Sequence, residues 1–201
     1  MHPTATNVEP VFVLGVDPGL TRCGYCVLRV SARQNRVVSM GLIRTDKDNP
    51  VAHRLTELWT DIAGIFEEYP IGALAIERVL FQTNVRTAIG VAQASGVVMT
   101  QAALRGIPVT EYSPNQIKDA VAGDGAADKQ QIQEMVQILL GLKEAPKPAD
   151  VADAVAIALT HAAYNPVVDA RRTNRIQISV DSQDSANMVL AASGTEPEGH
   201  R

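Results

Sequence analysis

Four acidic residues stand where chemistry could use them. Asp17 closes a run, Val11 to Val16, that is apolar or glycine without a break, and Pro18 and Gly19 turn the chain directly after it. Glu77 closes a second run of the same design, Gly72-Ala73-Leu74-Ala75-Ile76. An aspartate can simply open an Asp-Pro-Gly turn. Two buried-type strands that each finish in a carboxylate are harder to ascribe to accident, because ligands gather at the carboxyl ends of parallel strands. Asp150 and Asp153 are spaced i and i+3 near the start of an apolar helical stretch that contains Val151, Val155, Ile157 and Leu159, so both project from one side of it. Acids in a first turn also complement the helix dipole, by roughly 0.3 to 1 kcal/mol each, so this pair alone leaves both readings open.

Taken together, the four acids demand a cation. Each pair of carboxylates about 5 Å apart would repel by ~3 kcal/mol at an effective dielectric near 20, more than dipole gains offset. Ligands that are all oxygen favour Mg²⁺ or Mn²⁺ over zinc. Two such ions about 3.5 to 4 Å apart support in-line attack at phosphorus by activated water, with no Cys, His or Lys nucleophile. His161, two helical turns past Asp153, is expected to be a hydrogen-bonded core histidine rather than a member of the site.

The elements that position these residues follow from periodicity. Gly24 to Val30 and Arg36 to Thr45 read as strands that join Val11–Asp17 in an antiparallel meander. Leu55, Leu58, Trp59, Ile62, Ile65 and Phe66 recur at three and four, predicting a helix of about four turns that ends before Pro70. A long helix is expected from about Asn84 to Arg105, with Val85, Ala88, Ala92, Ser95 and Met99 on a small-residue face suited to close contact with the sheet or a second copy of the chain. Ile107 to Tyr112 reads as a strand. Ser113-Pro114-Asn115-Gln116 is a helix start, and Asp128 with Gln131 can cap the next helix. The last helix is expected over Asp150 to roughly Tyr164. Residues 1–10 read as a flexible N-terminus, 11–166 as one domain, and 167–201 as a disordered tail without sustained periodicity.

Composition sets the bounds. A chain of 201 residues can bury a real core, and with aromatics at only 4% that core must be built from small aliphatic side chains. The opening has no signal-peptide pattern and no apolar run approaches the roughly 18 to 20 residues that span a bilayer, so a cytoplasmic protein without membrane contact is expected. Cys23 and Cys26 have the C-x-x-C spacing but lie in a strand-like stretch, where odd spacing sends them to opposite faces; a structural role is expected. A net charge of −4 is unusual for a nucleic-acid binder, although acids gathered around metal ions would be neutralised there.

With these residues assembled, the chain resembles the RuvC family of crossover (Holliday) junction endodeoxyribonucleases from about Val11 to Asn165. The resemblance is carried by Gly15-Val16-Asp17-Pro18-Gly19 with Gly24-Tyr25, by Ala75-Ile76-Glu77, by Gly123-x-Gly125-x-Ala127-x-Lys129, and by Ala149-Asp150-x-x-Asp153-Ala154 running into Thr160-His161. It implies an RNase H-like α/β fold, a mixed five-stranded sheet flanked by helices. It implies a homodimer that nicks a four-way DNA junction symmetrically, leaving 5′-phosphate and 3′-hydroxyl ends. Asp17, Glu77, Asp150 and Asp153 would be the catalytic ligands of two Mg²⁺ ions per site, with Mn²⁺ able to substitute. Lys118 and Lys129 would meet DNA phosphates, and RuvA and RuvB, the branch-migration proteins, would be partners. One departure stands out: the family usually has Phe third after the catalytic Glu, where this chain has Leu80 followed by Phe81. Either Phe81 stacks on the junction base or an aliphatic wedge props it, and base–aromatic stacking is worth about 1 to 3 kcal/mol. Asp119, Asp124 and Asp128 flank the two lysines and should weaken non-specific binding.

Three other readings compete, one of them a non-catalytic DNA-binding module, which the four intact candidate ligands argue against. The Gly-Val-Asp-Pro-Gly-Leu-Thr loop is also like the phosphate loop of actin-like kinases and ATPases, but those need two lobes and a second Asp-Gly loop, which this sequence lacks. Another RNase H-like nuclease with a different substrate would use the same acids.

Overall fold

A sheet strand that is apolar on both faces must be covered on both, and strand β1 (Val11–Asp17) is the centre of such a sheet. The structure is a computed structural model that describes residues 11–31, 33–79 and 85–165, with the side chains of 85–87 set aside. The expected flexible start, the expected disordered tail and the two base-facing candidates Leu80 and Phe81 lie outside the described residues.

From β1 the chain continues into β2 (Arg22–Val30) and β3 (Arg36–Arg44) as the expected antiparallel meander, with Asp17 opposite Gly24 and Val11 opposite Val30. On the other side of β1, β4 (Ile71–Glu77) and then β5 (Val109–Tyr112) run parallel to it. The order is therefore β3-β2-β1-β4-β5, a mixed five-stranded sheet. Helices α1 (Val51–Glu68) and α2 (Val85–Leu104) cover one face; α3 (Pro114–Ala122), α4 (Lys129–Leu140) and α5 (Ala149–Tyr164) cover the other. Period-two alternation divides the strands between these cores: Leu14 and Val16 pack toward α1 and α2, Val13 toward α5. Cys23 and Cys26 are buried free thiols in opposite cores, as their spacing implied.

Helix α5 lies unusually close to the sheet. A Cβ added at Gly15 would stand 2.7 Å from the Ala158 Cβ, and one at Gly24 would overlap the Asp150 carbonyl oxygen. Bare backbone at these two strand positions lets the acidic start of α5 settle onto the end of β1. Capping boxes open α3 (Ser113 with Gln116) and α4 (Asp128 with Gln131), where the sequence placed them.

Three expectations need adjusting. Helix α1 is a turn longer at its start than the apolar pattern predicts, because the inward residue of that turn is the buried Arg54. Strand β5 begins at Val109 rather than Ile107: the Ile107 N–H closes the end of α2 on the Ala102 carbonyl, and Pro108 has no N–H to give a ladder. In α2 the apolar residues buried in the core are Ala94, Val98 and Ala102; of the predicted face Ala88 and Ser95 are buried as well, while Ala92 and Met99 are half-buried. No helix among the described residues is long and apolar enough to cross a membrane.

Candidate active site

Parallel neighbours β1 and β4 are in register, with Val16 level with Ile76, so Asp17 and Glu77 emerge side by side at the carboxyl end of the sheet. Helix α5 brings Asp150 in its first turn, and Asp153 one turn on, to the same edge. The electrostatics record the convergence. Asp17 is pushed up from 3.8 to about 7, first by burial and then by Asp153, Glu77 and Asp150, against the lowering influence of Lys129. Glu77 is also raised, by burial and then by Asp153.

Two cations answer part of this charge. Arg22, the first residue of β2, grips Asp150: its Nη2 lies 2.7 Å from Oδ2, and its Nε donates to both carboxylate oxygens at 3.3 Å. That bond is the main reason the Asp150 carboxyl titrates below the usual range. Lys129, the first residue of α4, puts its Nζ 2.7 Å from Asp153 Oδ2. Burial works against the Lys129 charge, and the bond to Asp153 more than restores it. Among the described residues Asp17 and Glu77 have no ion pair, and they carry the raised values.

With two acids held by cations, no three His, Cys, Asp or Glu side chains among the described residues stand together as a finished ligand set. The donor chemistry nevertheless fits a hard divalent cation. All four donors are carboxylates, and the two strand-end acids, both raised by burial, have no ion pair among the described residues.

Lys118 reaches the same place. It lines a cavity of about 270 Å³ together with Glu77, Lys129, Asp153 and the apolar Ile117 and Ile132. His161 takes part in another network: its Nδ1 is 3.0 Å from the Tyr112 hydroxyl, which accepts from Asn165 Nδ2 at 3.2 Å. Burial lowers the pKa of the His161 imidazole below its usual value. The residue at this edge that sequence reasoning missed is Arg22, which holds Asp150. The only signal for it was a basic residue five positions after Asp17, which does not say what it reaches.

Comparison with known proteins follows the same lines. The family described as crossover junction endodeoxyribonuclease RuvC matches residues 13–161. The RuvC of Leifsonia xyli is 52% identical over 151 residues, 75% of this chain and 73% of the relative; that of Brevibacillus brevis is 44% identical over 78% of this chain and 94% of its own. Among solved structures, Thermus thermophilus RuvC in complex with Holliday junction substrate superposes with a TM-score of 0.73 at 37% identity, covering 77% of this chain and 94% of that one. The yeast mitochondrial Holliday junction resolvase, at 15% identity and a TM-score of 0.55, shares the fold over 79% of this chain and 82% of its own. By the span matched and the identity to these relatives, the chain belongs to the RuvC family of crossover junction endodeoxyribonucleases.

Proposed function

We propose that this chain resolves four-way DNA junctions by paired symmetric nicks, each made at the edge where β1, β4 and α5 meet. Membership of the family makes it a divalent-metal-dependent hydrolase of DNA phosphodiester bonds. The finer reading is that Asp17, Glu77, Asp150 and Asp153 hold two Mg²⁺ ions, with Mn²⁺ able to replace them. What such ions supply is activation of water and stabilisation of the departing oxyanion, giving 5′-phosphate and 3′-hydroxyl ends.

The chain's own residues do the rest. Asp17 and Glu77 sit at strand ends, where each is backbone-paired, Asp17 with Gly24 and Glu77 with Tyr112. Arg22 and Lys129 hold Asp150 and Asp153 while no substrate is present. A phosphate entering the site would offer Arg22 and Lys129 a new partner, which would free Asp150 and Asp153 to serve as metal ligands. Lys118 and Lys129 are the proposed phosphate contacts; Leu80 and Phe81 are the proposed base contacts. A homodimer would supply the two sites for paired cuts, RuvA and RuvB are the expected partners, and the cytoplasm is the expected location.

The observation that carries this reading is the carboxyl of Asp17, raised to about 7 by burial and three other acids. Its test is incubation of a synthetic four-way junction and a matched linear duplex in Mg²⁺, with and without EDTA. Paired nicks in the junction alone, lost with EDTA, are expected. Equal cutting of both substrates would assign the same chemistry to a nuclease of another specificity.

A further inference from the structure

The turn that follows Asp17 also borders a second cavity, of about 660 Å³, between that turn, the start of α1 and α2. Every charged residue lining it is basic: Arg22, Lys47 and Arg54. Asp46 and Asp48 flank Lys47 in sequence, but neither lines the cavity, and the Asp46 carboxylate is engaged by the Asp48 N–H.

Arg54 is the unusual member. It is only 8% exposed, yet no carboxylate among the described residues meets its guanidinium. Its Nε donates to Thr45 Oγ1 at 2.9 Å and its Nη2 to Thr21 Oγ1 at 2.6 Å. A buried charge met only by neutral oxygens is costly, and an anion arriving in the cavity would supply what it lacks. The start of α1 adds to the same field. Its N-cap is Pro50, no side chain caps it, no acid lies in its first turn, and its first residue, Val51, lines the cavity.

We propose that this cavity is a second phosphodiester-binding site, which grips a DNA strand beside the acid centre; it rests on the junction-nuclease reading. Arg22 joins the two places, since it lines this cavity and holds Asp150 at the other. In this arrangement a strand with one phosphate at the acids would place a neighbouring phosphate among Arg22, Lys47 and Arg54, which line the cavity together. The lining contains no aromatic residue on which a base could stack, so the ligand is backbone rather than a free nucleotide.

The test measures junction affinity in Ca²⁺ across a salt series for wild type, Lys47→Ala and Arg54→Gln. Each variant should flatten the dependence of log K on log salt by about one unit. Junctions with one methylphosphonate stepped along the cut strand should reveal a position that weakens wild type but leaves Lys47→Ala unaffected. A merely structural role for Arg54 would move neither readout. Should Arg54→Gln fail to fold, Lys47→Ala decides alone, because Lys47 is on an exposed loop. An unchanged slope in Lys47→Ala, with the same methylphosphonate profile as wild type, overturns the site. Wild type that does not prefer the junction to linear duplex overturns the nuclease reading, and this site with it.

Discussion

Gly24 of β2 lies directly against the carbonyl of Asp150, so closely that no side chain fits between them. The glycine thus sets how near the acidic end of α5 comes to Asp17, which pairs with Gly24 across the sheet. Gly24→Ala should push that end of α5 away and open the acid cluster. We expect a loss of about 1 to 3 kcal/mol in stability from the overpacking, and cleavage reduced by at least tenfold at saturating Mg²⁺. Gly64→Ala is the control: it lies on α1 with nothing near its missing Cβ, and should stabilise by about 0.5 to 1 kcal/mol without changing cleavage. Thermal melts and nicking rates on both variants make the comparison.

Asp17 should make the metal-free protein sensitive to pH. Its folded value is about 7, raised first by burial, against 3.8 for an unperturbed carboxyl. Between those values the folded chain binds more protons than the unfolded one, so stability falls as pH rises from about 4 to about 7. The loss is of the order of a few kcal/mol. Asp17→Asn should largely remove that slope and raise the melting temperature at pH 7.5 in EDTA, while abolishing cleavage and sparing junction binding. Saturating Mg²⁺ should have the same stabilising effect on wild type. A wild-type melting temperature in EDTA that does not fall between pH 5 and 7.5 would contradict the raised carboxyl, and normal turnover by Asp17→Asn would remove Asp17 from the mechanism.

Lys118 lines the acid cavity with Lys129, but only Lys129 is tied to an acid. Lys118→Ala should therefore remove a phosphate contact and nothing else. The salt dependence of junction binding should flatten by about one unit with the melting temperature unchanged. An unaltered slope would put Lys118 away from DNA.

What could be read from sequence divides by range. Asp17 and Glu77 were legible because a buried strand that ends in an acid is a local pattern, and Asp150 with Asp153 because acids in an apolar helix stand out within one turn. The start of α1 was not, since its inward residue is Arg54 and an apolar period cannot register a buried cation. The length of β5 was missed because Ile107 has strand-like chemistry but its N–H is spent on α2. The grip of Arg22 on Asp150 spans 128 positions, and no local spacing encodes it. Lys129 was read as a DNA contact; that it also holds Asp153 follows from where α4 packs against α5.

That grip makes Arg22 and a metal ion competitors for Asp150. The bidentate contact stabilises the carboxylate by itself, so an ion that needs those oxygens must first displace the guanidinium. Arg22→Ala should then bind Mn²⁺ more tightly than wild type when no DNA is present, by up to about fivefold, the modest gain expected when an exposed ion pair is removed. The same variant should bind the junction less tightly, because the freed guanidinium is the group a phosphate would meet. Calorimetric Mn²⁺ titration and junction binding in Ca²⁺ read the two effects separately, and their opposite signs are the point. If Arg22→Ala weakens both, the arginine orders Asp150 for the metal instead of competing with it.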